Sequence, residues 1–173
     1  MAKKTPAGTP GLRALTRAGV DHRVHEYEHD PTATNFGAEI VARLGLDPNR
    51  VFKTLLATVE RPGRDELVVA LVPVAGQLDL KALAGAVAAK RAALADPAVA
   101  ERATGYVVGG ISPFGQRQRH ATVVDRSALD HDSVYVSAGR RGAQVELAPA
   151  DLVAETQARL ADIARWDRPS RPA

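Results

Sequence analysis

Hydrophobic and polar positions along this chain alternate with two different periods, and the switches between them mark out its elements. Residues 51–59, Val-Phe-Lys-Thr-Leu-Leu-Ala-Thr-Val, read as a strand with apolar positions on both sides. Period-two alternation puts Val51, Lys53, Leu55, Ala57 and Val59 on one face and Phe52, Thr54, Leu56 and Thr58 on the other. Lys53 is the odd residue, an ammonium on an apolar face. It reads either as a gatekeeper near the end of an edge strand, stem packed and head in water, or as a fixed positive charge at the mouth of a pocket.

Upstream, Thr9-Pro10 opens a short helix over 11–18 and Gly19 stops it. Residues 21–29 alternate as a strand, with Arg23, His25, Tyr27 and His29 on one face, and Asp30-Pro31 ends it. Phe36, Ile40, Val41 and Leu44 then recur at helical spacing until Gly45. Downstream, Arg61-Pro62-Gly63 turns the chain into a nearly all-apolar strand over 66–72. Asp79 caps a predicted helix reaching about Leu94, and Asp96-Pro97 begins another that ends near Gly105. Tyr106-Val107-Val108 is expected to be a strand running into the loop at 109–115. Further strands are expected at 121–125, 133–137 and 143–147, the last two joined by the turn Gly139-Arg140-Arg141-Gly142. Pro149 starts a final amphipathic helix through Ala164. Helices and strands interleave irregularly and hairpins are short. The expected fold is therefore a single α/β domain of the α+β type, a mixed, curved or barrel-like sheet surrounded by helices. The domain is expected over 9–165, with flexible ends at 1–8 and 166–173.

Composition narrows the chemistry. With 173 residues, 45% of them hydrophobic, the chain can bury one real core, and at 4% aromatics Val, Leu and Ala must fill it. A net charge of +3 permits a polyanionic partner without demanding one. Zero cysteines remove disulfides, thiolate metal sites and cysteine nucleophiles together. There is no secretion signal and no apolar run of about 18 residues, so a cytoplasmic protein with no membrane partner is expected.

The loop Gly109-Gly110-Ile111-Ser112-Pro113-Phe114-Gly115 is the second informative stretch. Its glycines allow backbone to approach a ligand closely, yet it matches neither phosphate-binding glycine pattern. No Gly-x-Ser-x-Gly elbow and no Ser-x-x-Lys pair is present, so the list of nucleophiles is nearly empty. His25 and His29 project together on their strand but lack the helical His-Glu-x-x-His pattern, and neither a metal nor a cofactor is expected. Two basic loops, Arg117 with Arg119 and Arg140 with Arg141, read as solvated turns or as a rim following a phosphate backbone.

Several segments stand out together: Tyr27-Glu28-His29-Asp30-Pro31, Asn35-Phe36-Gly37, Val51-Phe52-Lys53-Thr54-Leu55-Leu56, Pro73-Val74-Ala75-Gly76-Gln77-Leu78-Asp79-Leu80-Lys81, Thr104-Gly105-Tyr106-Val107-Val108-Gly109-Gly110-Ile111-Ser112-Pro113 and Tyr135-Val136-Ser137. In that order they resemble the YbaK/EbsC family of bacterial Cys-tRNA(Pro) and Cys-tRNA(Cys) deacylases. The resemblance implies a free-standing editing enzyme related to the editing domain of prolyl-tRNA synthetase. Its substrate would be the acceptor end of aminoacyl-tRNA, and the synthetase itself is the protein partner the family suggests. Lys53 matches the family's essential lysine, and residues 109–113, including Gly109, Gly110, Ile111, Ser112 and Pro113, match the loop that holds the terminal adenosine and the scissile ester. Tyr27, Phe36, Thr54 and Ser137 match substrate-binding positions, and Arg117, Arg119, Arg140 and Arg141 are the expected RNA contacts. The family solution to a missing nucleophile is that the substrate cysteine's own sulfur attacks its ester. Two departures stand out: Ser137-Ala138-Gly139 replaces Ser-Gly-Gly, and Gln118 replaces a lysine in the basic run. Two other readings are open, a deacylase for Ala-tRNA(Pro) using activated water and a non-catalytic aminoacyl-tRNA-binding module.

Overall fold

A computed structural model describes residues 8–166; apart from Gly8 and Trp166, the expected flexible ends lie outside the described residues. Pro10 at the first position and the Thr9 hydroxyl, which accepts the Leu12 N–H at 3.2 Å, start α1 (Pro10–Arg17). A four-residue strand, β1 (Arg23–Glu26), follows. The Asn35 side chain accepts the Ala38 N–H at 3.0 Å to begin α2 (Phe36–Leu44), and Gly45 closes it at φ 62°. A tight turn then joins β2 (Phe52–Arg61) to β3 (Arg64–Pro73), paired in register from Phe52↔Pro73 to Arg61↔Arg64.

The remaining elements are β4 (Gly76–Leu78), α3 (Leu80–Ala86), β5 (Ala92–Leu94), α4 (Pro97–Thr104), β6 (Ala121–Asp125), β7 (Val134–Ser137), β8 (Ala143–Leu147), α5 (Pro149–Thr156), β9 (Arg159–Ala161) and β10 (Ala164–Trp166). A 3-10 turn at Arg126–Asp130 follows β6. Among the described residues three sheets result, ordered β5-β2-β3-β6-β9, β1-β8-β7 and β10-β4. Among the strand pairs of the described residues only β3–β6 and β6–β9 are parallel, so the large sheet is mixed, as expected. An isolated bridge between Val51 and Tyr135 ties it to the β1-β8-β7 sheet. No helix among the described residues is long and apolar enough to cross a membrane.

Burial follows the alternation. Phe52, Leu56, Val69, Leu71 and Val124 pack against Val134, Val136, Val145 and Leu147 of the small sheet. On the opposite face, Ala57, Val59, Val68, Ala70 and Val72 meet Leu83 and Val87 of the α3 segment and Ile163. A third cluster joins Ile40 of α2 to Val51 and Tyr135.

The strand expected over 21–29 is paired as β1 only at 23–26, leaving Tyr27 and His29 outside it, and three further elements differ in kind. The helix predicted over 79–94 stops at Ala86, and residues 90–95 bond to the edge of β2 instead, with Glu60 N–H to Arg91 O at 2.9 Å and Ala95 N–H to Leu56 O at 2.9 Å. Alanine-rich sequence favours helix locally, but the exposed sheet edge offers bonds to a strand that a continuing helix cannot use. The helix predicted through Ala164 likewise ends at Gln157, φ 51°, and its second half becomes β9 and β10, which includes Trp166. Asp125 organises that change: one carboxylate oxygen accepts the N–H groups of Ile163 and Ala164, each at 2.9 Å, while the other accepts the Ser127 hydroxyl and amide. The strand predicted at 106–108 is a loop, because Gly105 (φ 81°) and Gly109 (φ 87°) turn the chain on either side of it.

Candidate active site

Strand β5 pairs with β2 at Ala57, Thr58 and Val59 and its flanks add bonds at Leu56 and Glu60, while the small sheet meets the start of β2 through Tyr135 N–H to Arg50 O at 2.9 Å. Bonds on this edge come from even-numbered residues, Arg50, Leu56 and Glu60, so Thr54 has the right phase but falls in the gap between the two neighbours. The gap is a cavity of about 460 Å³. Phe36, Gly37 and Ile40 of α2, Pro97 and Ala100 of α4, Leu94 and Ala95, and Val108, Gly109 and Ile111 of the glycine loop complete its walls, with Ser137 and Gln144 entering from the small sheet.

Lys53 lines this cavity half-buried, and burial pulls its ammonium below the ordinary lysine value. No carboxylate lines the cavity, and among the described residues Lys53 forms no ion pair. A lone cation in an apolar recess is costly in the empty protein and is suited to an anion or to negative charge that develops during reaction.

The mouth is held by a stack. The Arg141 guanidinium lies 4.8 Å from the Phe36 ring centre and donates twice to Val108 O, at 2.9 and 2.8 Å. His29, itself bonded to Glu39 at 2.6 Å, sits 6.0 Å from the same ring. The two glycines are required by close approach: a Cβ on Gly109 would meet the Phe36 ring at 2.8 Å, and one on Gly110 would meet the Arg140 backbone at 2.8 Å. The Gly110 amide is used by Val107 O at 2.9 Å. The amides of Gly109 and Ile111, both cavity residues, have no protein acceptor among the described residues.

A family model for the aminoacyl-tRNA editing domain matches residues 29–154, which contain every wall of this cavity. The chain belongs to that family. EbsC of Enterococcus faecalis, named as a proposed Cys-tRNA(Pro)/Cys-tRNA(Cys) deacylase, is 36% identical over 93% of this chain and 96% of its own. The multifunctional Ser/Thr-tRNA deacylase ProXp-y of Escherichia coli is 28% identical over 95% and 97%. A crystal structure described as a proposed trans-editing enzyme for prolyl-tRNA synthetase superimposes with a TM-score of 0.79 at 24% identity, over 94% of this chain and 99% of that one.

For a member of the aminoacyl-tRNA editing family, the residues singled out by sequence divide into two sets. Phe36, Lys53, Thr54, Gly109, Ile111 and Ser137 line one cavity. Tyr27 stands behind the wall, packed on the cluster of Ile40, Val51 and Tyr135, and burial raises its phenol above the ordinary value. Gly110 is buried against the Arg140 backbone rather than lining the cavity, and Ser112 is wholly buried, its hydroxyl accepting the Phe114 N–H at 3.2 Å. Pro113 and Arg119 border a separate cavity of about 230 Å³ beside His120. Arg117 rests at the end of α4, bonded to Arg102 O at 3.4 Å, and Arg140 pairs with Glu26 at 2.8 Å. His25 and His29 do not converge, since His25 is bonded to Glu146 at 2.9 Å.

Sequence reasoning missed Gln144. Its signal was the alternation Ala143-Gln144-Val145-Glu146-Leu147, in which the apolar phase enters the core and the polar phase faces away from it. Strand register sets Gln144 directly opposite both Ser137 and His25 on that polar face.

Proposed function

We propose that this chain is a trans-editing deacylase that removes cysteine from mischarged tRNA(Pro), and also acts on Cys-tRNA(Cys), by cleaving the 3′ ester. The observation that carries this reading is the half-buried, unpaired Lys53 cation in a cavity without a carboxylate. Among the described residues no serine or threonine hydroxyl of the cavity is hydrogen-bonded to a lysine, histidine or carboxylate, Thr54 having no partner and Ser137 accepting the Gly139 N–H at 3.2 Å, so the chemistry falls to the substrate and the protein supplies geometry and charge.

In the proposed reaction the cysteine sulfur attacks its own ester carbonyl. A C–S bond forms, the C–O bond to the ribose breaks, and the 3′ oxygen leaves as a hydroxyl carrying the thiol proton. The thiolactone product is then opened by water. Amides of Gly109 and Ile111 would face the developing oxyanion or the ribose hydroxyls, Lys53 would hold positive charge near the terminal adenosine, and Phe36 would close the mouth. Arg117, Arg119, Arg140 and Arg141 remain proposed RNA contacts; for Arg140 this means exchanging Glu26 for phosphate. A cavity reading only the acceptor end carries little tRNA selectivity of its own, so prolyl-tRNA synthetase is the proposed source of it.

The test is release of labelled amino acid from Cys-tRNA(Pro), Ala-tRNA(Pro) and Pro-tRNA(Pro) by wild type and Lys53→Ala. Cysteine-selective release that the variant loses by about 10²-fold or more supports the proposal. Equal release of alanine would replace substrate-thiol attack by water attack. Stoichiometric binding without turnover would replace the enzyme by a binding module.

A further inference from the structure

Among the described residues, two buried side-chain polar atoms have no hydrogen-bond partner, Thr54 Oγ1 and Gln144 Oε1, and both residues line the Lys53 cavity. Gln144 is 2% exposed. Its Nε2 donates to Ala143 O at 3.3 Å, and turning the amide over would set two acceptors against each other, so the carbonyl end is the one left for the cavity. A protein core tolerates such an atom poorly unless a ligand satisfies it. We infer that Gln144 Oε1 and Thr54 Oγ1 form the recognition point for a hydroxyl or thiol on the side chain of the bound aminoacyl group.

The chemistry of the cavity selects that group. Gln144 Oε1 only accepts, so phosphate and carboxylate are excluded as its partner. An ammonium would enter a recess with no carboxylate and with the Lys53 cation already present. What fits is a neutral donor, O–H or S–H, and the Thr54 hydroxyl can donate to the same atom that Gln144 draws a proton from. Alanine and proline carry no such donor and would leave both protein atoms unpaired, the arrangement by which a site rejects an analogue most strongly. The correct ester, Pro-tRNA(Pro), would thereby be spared. The inference rests on the deacylase reading only for the identity of the ester.

The experiment uses hydrolysis-resistant 3′-amide analogues of adenosine carrying cysteine, serine, alanine or proline. Wild type should bind the cysteinyl and seryl compounds at least tenfold tighter than the alanyl and prolyl ones. Gln144→Met, nearly isosteric, should bring all four within about threefold and lower kcat/KM for Cys-tRNA(Pro) at least tenfold. Its thermal midpoint should stay equal or rise, because an unpaired atom is removed and Ala143 O keeps the Ala138 N–H at 3.1 Å. Thr54→Val is the second variant and should weaken the same preference. Equal loss on all four compounds would mean that Gln144 touches a common group, and a preference unchanged in both variants would equally overturn the inference. Preference without turnover of Cys-tRNA(Pro) would sink the deacylase reading and leave the recognition point standing; turnover without preference would do the reverse.

Discussion

Gly109→Ala tests whether the mouth of the cavity is set by contact between the loop and Phe36. Two costs add. At φ 87° an alanine occupies a region L residues avoid, for about 1–2 kcal/mol. The new methyl would stand 2.8–2.9 Å from three atoms of the Phe36 ring, which cannot simply swing away because Arg141 lies over it. Forcing it aside is worth about 1–3 kcal/mol, the ordinary range for overpacking. The sum is about 2–5 kcal/mol, or roughly 4–20 °C in thermal midpoint for a domain of this size. The assay is thermal unfolding of Gly109→Ala, Phe36→Ala and the double variant, with deacylation measured alongside. Removing the ring should cancel the clash and leave the dihedral cost, so the double variant should be about 1–3 kcal/mol more stable than the two single losses added together. Additivity within about 0.5 kcal/mol would refute the contact as the reason for a glycine here.

Lys53→Met should abolish deacylation while leaving the thermal midpoint equal or higher, since a desolvated cation without a partner is removed; a clear fall in stability would show that the ammonium is structural. Because burial lowers the Lys53 value, its proton is lost from the folded state before the unfolded one as pH rises. Activity corrected for spontaneous hydrolysis should therefore fall through the depressed value, below the ordinary 10.5, whereas this group's contribution to stability should improve between the two values; the stability trend should vanish in Lys53→Met. Asp125→Ala strips four hydrogen bonds from a buried carboxylate and orphans the Ile163 amide, so denaturant unfolding should report a loss of about 2–4 kcal/mol. Arg141→Lys keeps the charge but loses the paired bonds to Val108 O, and should raise KM for Cys-tRNA(Pro) severalfold with a smaller change in kcat.

What was legible in the sequence had strong local cause. Caps at Thr9 and Asp79 and the helical spacing from Phe36 to Leu44 announced three helices, and alternation through 51–59 set Lys53 apart from its apolar neighbours. What was illegible depended on distant partners. Residues 90–94 look helical until the free edge of β2 is in view, and residues 157–164 look helical until Asp125 is. Arg141 was readable as half of a basic pair in a turn, but its bonds to Val108 O and its place over the Phe36 ring depend on the fold. Gln144 was readable as a polar phase, but its lack of a partner is a property of the packed molecule alone.

A cavity formed because β5 stops at Leu94, rather than by hollowing out side chains, has a size that comes in steps. Each residue adds about 3.4 Å of strand, but every second residue of β2 points its amide and carbonyl at β3 and offers nothing to this edge. The slot can therefore lengthen or shorten only in units of two residues, about 7 Å. Relatives could thus change the bulk of what they admit abruptly, by where one short strand ends, while side chains such as Gln144 adjust chemical character within a frame of constant size.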